Sequence, residues 1–173
     1  ALEVVSVRLV RDAPILSGEE IKSPEDAVRL VGEQLSDMDR EVACVINLNA
    51  AHMPINCHFA SMGSLNYSMA HPRELLKAGI LSNAAGMILA HNHTSGKLLP
   101  SEDDVRLTDK MQQVCELVGI PLVDHVIVGG DNSRYFSFHE KGLVKNPQKE
   151  YQIDYRRLEW DSPAEVAERG GRR

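Results

Sequence analysis

The stretch GMILAHNHTSGKLLPSEDD, residues 86–104, constrains the fold most. It opens with an uncharged run, Gly86 to Ala90, that reads as a short buried strand. The run ends in His91-x-His93. A polar loop with Gly96 and Pro100 then leads to Ser101 and the acids Glu102, Asp103 and Asp104. From 102 to 118 Val105, Thr108, Met111, Cys115 and Val118 recur at helical steps, and Gly119 and Pro121 stop that helix. Strand, loop and helix together place two imidazoles at a strand end and carboxylates at a helix start.

The rest of the chain supplies elements to pack around this unit. EVVSVRLV, residues 3–10, alternates as a strand. Ser23 and Pro24 mark a helix start, with the helix running to about Leu35. Val42, Cys44, Ile46 and Leu48 form one face of a strand, a turn follows near 49–54, and a second strand covers 55–62. HPRELLKAGIL reads as a helix burying Leu75, Leu76, Ile80 and Leu81. LVDHVIVGG and RYFSF read as two strands around a Gly-Gly-Asp-Asn turn. The expectation is one α/β domain, residues 1–144, with a mixed β-sheet flanked by helices. After it comes a polar extension, 145–173, ending in Gly-Gly-Arg-Arg.

Several function classes are disfavoured. A length of 173 residues, with 43% apolar and 25% charged residues, suits one well-buried soluble domain. No apolar run is long enough for a membrane span, and the first residues lack the basic start of a signal peptide. Cys44, Cys57 and Cys115 are too scattered for a disulfide framework or a thiolate zinc finger, so a cytoplasmic setting is expected. A net charge of -6 argues against nucleic-acid binding by simple electrostatics.

Strand side chains alternate, so a strand continuing past Ala90 points His91 and His93 the same way and Asn92 the other. On the following helix Asp104 shares a face with Leu107, Thr108 and Met111, whereas Asp103 lies on a solvated face. His91, His93 and Asp104 make three ligands with a fourth position open, as catalytic zinc sites do. The same ligand types also suit iron. A simpler reading exists for Ser101-x-x-Asp104, which is also a helix capping box. The two are compatible, because a cap fixes where Asp104 points.

His91-x-His93, seven residues, Ser101, two residues and Asp104 reproduce the JAMM motif of the JAB/MPN metalloprotease superfamily. SMAHPRELLKAGILSNAAGMILAHNHTSG, PSEDDVRLTDKMQQVCELVGIPLVDHVIVG and YFSFHEKGL resemble its bacterial RadC-type branch, over about residues 24–144. Thr94 stands where that branch usually has proline. The helical N-terminal part of longer RadC proteins has no counterpart in the sequence, which weakens a DNA-binding role.

The resemblance implies a cytidine-deaminase-like α/β fold, one Zn2+ per chain, and hydrolysis of peptide or isopeptide bonds. It implies Glu41 as general base, at the head of the strand EVACVINL. An acid there is also compatible with an ordinary surface terminus. Glu74 is the alternative base, or a helix-surface acid. Ser101 would donate to the developing oxyanion. His71, before Pro72, is a candidate for supporting the metal site or for capping its helix. His125 reads as a hydrogen-bonded core residue, and His52, His58 and His139 as structural or exposed. The substrate is a peptide or protein of unspecified identity. The edge of the strand at 55–62 is open to a peptide or a second copy of the chain, as in a homo-oligomer. Two alternatives stand beside the hydrolase. One is a non-catalytic MPN-like scaffold. The other is a nucleic-acid-associated protein, in line with the family's DNA-repair label.

Overall fold

The computed structural model describes residues 19–62, 71–129 and 133–145, together with 6, 8–10, 12 and 15. Helix α1 (Pro24–Ser36) starts at a reciprocal cap. The Ser23 hydroxyl accepts the Asp26 N–H at 3.4 Å, and the Asp26 carboxylate accepts the Ser23 N–H at 3.0 Å. Pro24 costs nothing there, since a first-turn N–H has no partner inside the helix. Strands β1 (Val42–Leu48) and β2 (Pro54–Met62) form an antiparallel hairpin, and His52 turns the chain at φ 56°. Helix α2 (Pro72–Leu81) leads to β3 (Gly86–Asn92), α3 (Glu102–Val118), β4 (Leu122–Val128) and β5 (Tyr135–Ser137).

The five strands form one mixed sheet in the order β2-β1-β3-β4-β5. Among the described strands only β3 and β4 run parallel, joined through α3 as a parallel pair requires. The sheet is covered on both faces. Val42, Cys44, Ile46, Leu48, Ile88 and Ala90 pack with α1 residues such as Val31 and Leu35. Ala43, Val45, Met87 and Leu89 pack on the other face with Leu75 of α2 and Leu107, Met111 and Cys115 of α3. This two-sided burial is why all seven residues of β3 are buried, and why its sequence shows no polar alternation. Among the described residues no helix is long and apolar enough to cross a membrane, and the three cysteines are free thiols.

The structure corrects four local expectations. Ser6 and residues 8–10 are not in a strand, and Leu9 and Val10 are exposed; residues 1–5 and 7 lie outside the described residues. In α2, Leu75 and Leu76 are buried but Ile80 and Leu81 are exposed, because the helix packs through Pro72, Ala78 and Gly79 instead. Gly79 permits this phase: a Cβ there would lie 2.7 Å from Asn47 Oδ1. In α3 the buried row is Asp104, Leu107, Thr108, Met111 and Cys115, while Val105 and Val118 face solvent. The strand expected at 86–90 runs on to Asn92. Most of the Gly-Gly-Asp-Asn turn and the extension from 146 onward lie outside the described residues.

Candidate metal centre

His91 ends β3 on the face that carries Met87 and Leu89, the face covered by α3. Asn92 points the other way and ties the strand end to the head of β1. Its Oδ1 accepts the Val42 N–H at 2.8 Å, and its Nδ2 donates to the Arg40 carbonyl at 3.0 Å. The antiparallel register pairs Ala43 with His91. Continued by two residues, that register would set Glu41 opposite His93.

Across from them, Ser101 caps α3. Its hydroxyl accepts the Asp104 N–H at 3.2 Å and donates to Asp104 Oδ2 at 2.7 Å, and its N–H donates to the same oxygen at 2.7 Å. The cap turns the carboxylate inward, where Oδ1 lies 3.2 Å from His91 Nε2 and Oδ2 lies 3.2 Å from His93 Nε2. The two Nε2 atoms are 2.9 Å apart. All three side chains thus offer a ligand atom within 4.8 Å of one another.

The hydrogen bonds behind the rings decide what those atoms are. His93 Nδ1 lies 2.7 Å from the Lys97 carbonyl, which can only accept, so Nδ1 carries the proton. A neutral His93 then presents a bare Nε2 to the cluster. His93 Nε2 and two carboxylate oxygens are therefore acceptors that converge with His91 Nε2 on one point. Such a set repels itself unless positive charge lies among them. The donor types are those of a tetrahedral zinc site with one position left for another ligand, so the residues fit a divalent cation.

With no ion between them, the same side chains act on one another as proton donors and acceptors. Burial pushes the Asp104 carboxyl up, but the attraction of His91 and His93 and the bond from Ser101 outweigh it and hold the group well below the usual carboxylate range. Hydrogen bonding to Asp104 raises His93 above an ordinary histidine. Burial lowers the enclosed His91, against the pull of the same carboxylate. Glu41 is near enough to favour the charged form of both rings.

Comparison with known proteins agrees with this geometry. The family model described as RadC-like JAB domain matches residues 21–143. The chain belongs to the RadC-like JAB domain family. A UPF0758 protein of Desulforamulus reducens is 42% identical over 124 residues, 72% of this chain and 54% of the relative. A UPF0758 protein of Clostridium kluyveri is 44% identical over 124 residues, again 72% and 54%. One of Clostridium acetobutylicum is 42% identical over the same length, 72% of this chain and 53% of that protein. The chain spans about half the length of the curated relatives it matches.

Within this RadC-like domain the expected residues divide cleanly. His91, His93, Asp104 and Ser101 come together, with Glu41 at their side. His71 and Glu74 are placed differently. His71 is exposed and caps α2, its Nδ1 accepting the Arg73 N–H at 3.2 Å. Glu74 pairs with Lys77 at 2.5 Å and with Arg73 at 3.6 Å, and Lys77 lowers its carboxyl. None of these contacts reaches the cluster. A cavity of about 330 Å³ opens beside His93 at the ends of β3 and β4, lined also by Met38, Asp39 and Ser95.

His125 is the hydrogen-bonded core residue the sequence suggests, but its contact with His91 was not foreseen. His125, on β4, is fully buried with Nε2 2.8 Å from His91 Nδ1. Its other nitrogen lies 2.6 Å from Thr108 Oγ1. The one available signal was parity. His125 and Ile127 share a strand face, and that face meets α3.

Proposed function

We propose that this RadC-like domain is a zinc-dependent hydrolase of peptide or isopeptide bonds. One observation carries the reading: the Nε2 atoms of His91 and His93 converge with the Asp104 carboxylate, each within 3.2 Å of it. These three side chains would hold the ion, which supplies a Lewis acid able to polarise a carbonyl and lower the pKa of water. Glu41 is the general base. From the head of β1 it takes a proton from the attacking water and returns it to the leaving amine. The exposed Ser101 hydroxyl turns from Asp104 to donate to the oxyanion, a role typically worth about 3 kcal/mol.

The test is metal content of the purified protein beside His93→Ala and Asp104→Ala. The expected result is about one zinc per chain, lost in both variants. Peptide and isopeptide libraries follow, with Glu41→Gln as an inactive control that keeps its zinc. A wild-type protein that takes up no added zinc would overturn the reading.

A further inference from the structure

We infer that His125, anchored by Thr108, is a positioning residue that fixes the ring orientation and tautomer with which His91 meets a metal ion. The inference rests on the metal-site reading above and extends it to two residues outside the ligand set.

The chain of hydrogen bonds admits one assignment. Thr108 Oγ1 lies 2.7 Å from the carbonyl of Asp104, one turn back along α3. A carbonyl only accepts, so the single hydroxyl proton of Thr108 is committed to it. The oxygen can then only accept from His125 Nδ1, which must carry a proton. His125 is wholly buried, stacks on Phe138 at 4.6 Å between ring centres, and touches no carboxylate, so its ring is neutral. Its Nε2 is therefore a lone-pair acceptor. His91 Nδ1, at 2.8 Å, must be the donor. A neutral His91 with its proton on Nδ1 has a bare Nε2, the atom that faces His93 and Asp104. The series starts and ends on Asp104: its backbone carbonyl sets the tautomer of the ligand that its own side chain accompanies.

The backbone holds this arrangement in register. Asp124 Oδ1 accepts the N–H of His125 at 2.7 Å and of His139 at 2.9 Å, while Oδ2 accepts the Ser137 hydroxyl at 2.6 Å. The Phe138 N–H donates to the His125 carbonyl at 2.9 Å, which keeps the stacking ring in place. Partners of this kind typically change metal affinity by about 10–100-fold when removed.

The experiment uses Zn2+ as the probe, in competition with a chromophoric chelator, on the full chain. His125→Phe keeps the ring and its stacking but removes the acceptor. Its zinc affinity should fall by about 10–100-fold. His125→Gln restores an acceptor near the Nε2 position and should recover most of that loss. Thr108→Val keeps the shape and frees the His125 tautomer, so affinity should again fall. Two-bond 1H–15N correlations on zinc-loaded wild type should show His91 bound through Nε2 with its proton on Nδ1, and His125 protonated on Nδ1. This last readout needs no variant to fold. Zinc binding within twofold of wild type in folded His125→Phe or Thr108→Val would overturn the inference and leave the metal site standing. So would the opposite tautomer in the spectra. A wild-type protein without zinc affinity would remove the metal site and the inference together.

Discussion

Asn92 provides the sharpest test of how the site is held, because it touches neither His91 nor His93 ring and yet fixes the strand that carries both. In Asn92→Ala two hydrogen bonds disappear, one from the Val42 N–H at 2.8 Å and one to the Arg40 carbonyl at 3.0 Å. Val42 is fully buried, so its N–H is left without water or protein to receive it. An orphaned buried donor costs about 1–3 kcal/mol. Arg40 is exposed, and water can replace the amide at its carbonyl, so that loss is about 0.5–1 kcal/mol. The sum is about 3 kcal/mol, which in a chain of this length lowers Tm by about 6–12 °C. Urea unfolding of the metal-free protein, followed by circular dichroism, would show the midpoint falling with the slope unchanged. A change below about 0.5 kcal/mol would mean that the end of the β1–β3 ladder does not depend on this side chain, and the account of how Glu41 is set beside His93 would fail.

Three further outcomes follow from the same geometry. The bond to Asp104 raises His93 above the ordinary histidine value, so a proton competes with zinc for its Nε2 up to a higher pH than at an ordinary histidine. Zinc affinity should therefore climb as pH rises through and above about 6.5, with proton release visible by calorimetry in two buffers of different ionisation enthalpy; a pH-independent affinity would contradict it. In Gly79→Ala the new Cβ would meet Asn47 Oδ1 at 2.7 Å and Met87 Cε at 3.1 Å. Overpacking of about 1–3 kcal/mol should outweigh the gain of about 1 kcal/mol in helix propensity, so a higher Tm would be the wrong sign. Ser101→Ala removes the α3 cap and the hydroxyl bond to Asp104 Oδ2, so it should cost about 1 kcal/mol in thermal unfolding and weaken zinc binding as well; unchanged zinc affinity would show that the ligands alone build the site.

The elements legible in the sequence were those whose signals are local. Ser23-Pro24, Ser101 with Asp104, and Gly119 mark helix ends through their own backbone bonds, and all three lie where the residues suggest. What failed depended on partners far along the chain. Ile80 and Leu81 look like core residues, yet they are exposed because α2 is drawn against the sheet through Gly79, whose neighbours are Asn47 and Met87. The ligands were legible because one strand, one loop and one helix turn supply them all. His125 was not, because its meaning comes from the parallel pairing of β3 with β4. The register sets Leu89 against His125 and so brings it diagonally beside His91. A histidine in an apolar strand reads as core; only the sheet order shows which ring it touches.

Asp104 explains why the cap reading and the ligand reading of Ser101-x-x-Asp104 never competed. The two jobs use the two oxygens differently. Oδ2 takes both bonds from Ser101 and sits 3.2 Å from His93 Nε2, while Oδ1 is left for His91 Nε2 at 3.2 Å. A helix start carries partial positive charge and by itself disfavours a cation. Here the first turn holds Glu102, Asp103 and Asp104, and the one acid turned inward offsets that charge where the imidazoles converge. Asp rather than the longer Glu matters at this third helical position. The short side chain keeps the carboxylate against the Ser101 backbone, so whatever fixes the helix start also fixes the ligand. The cap is thus part of the metal site's geometry, and the helix that carries Asp104 also carries Thr108, one turn on, to brace the ring behind His91.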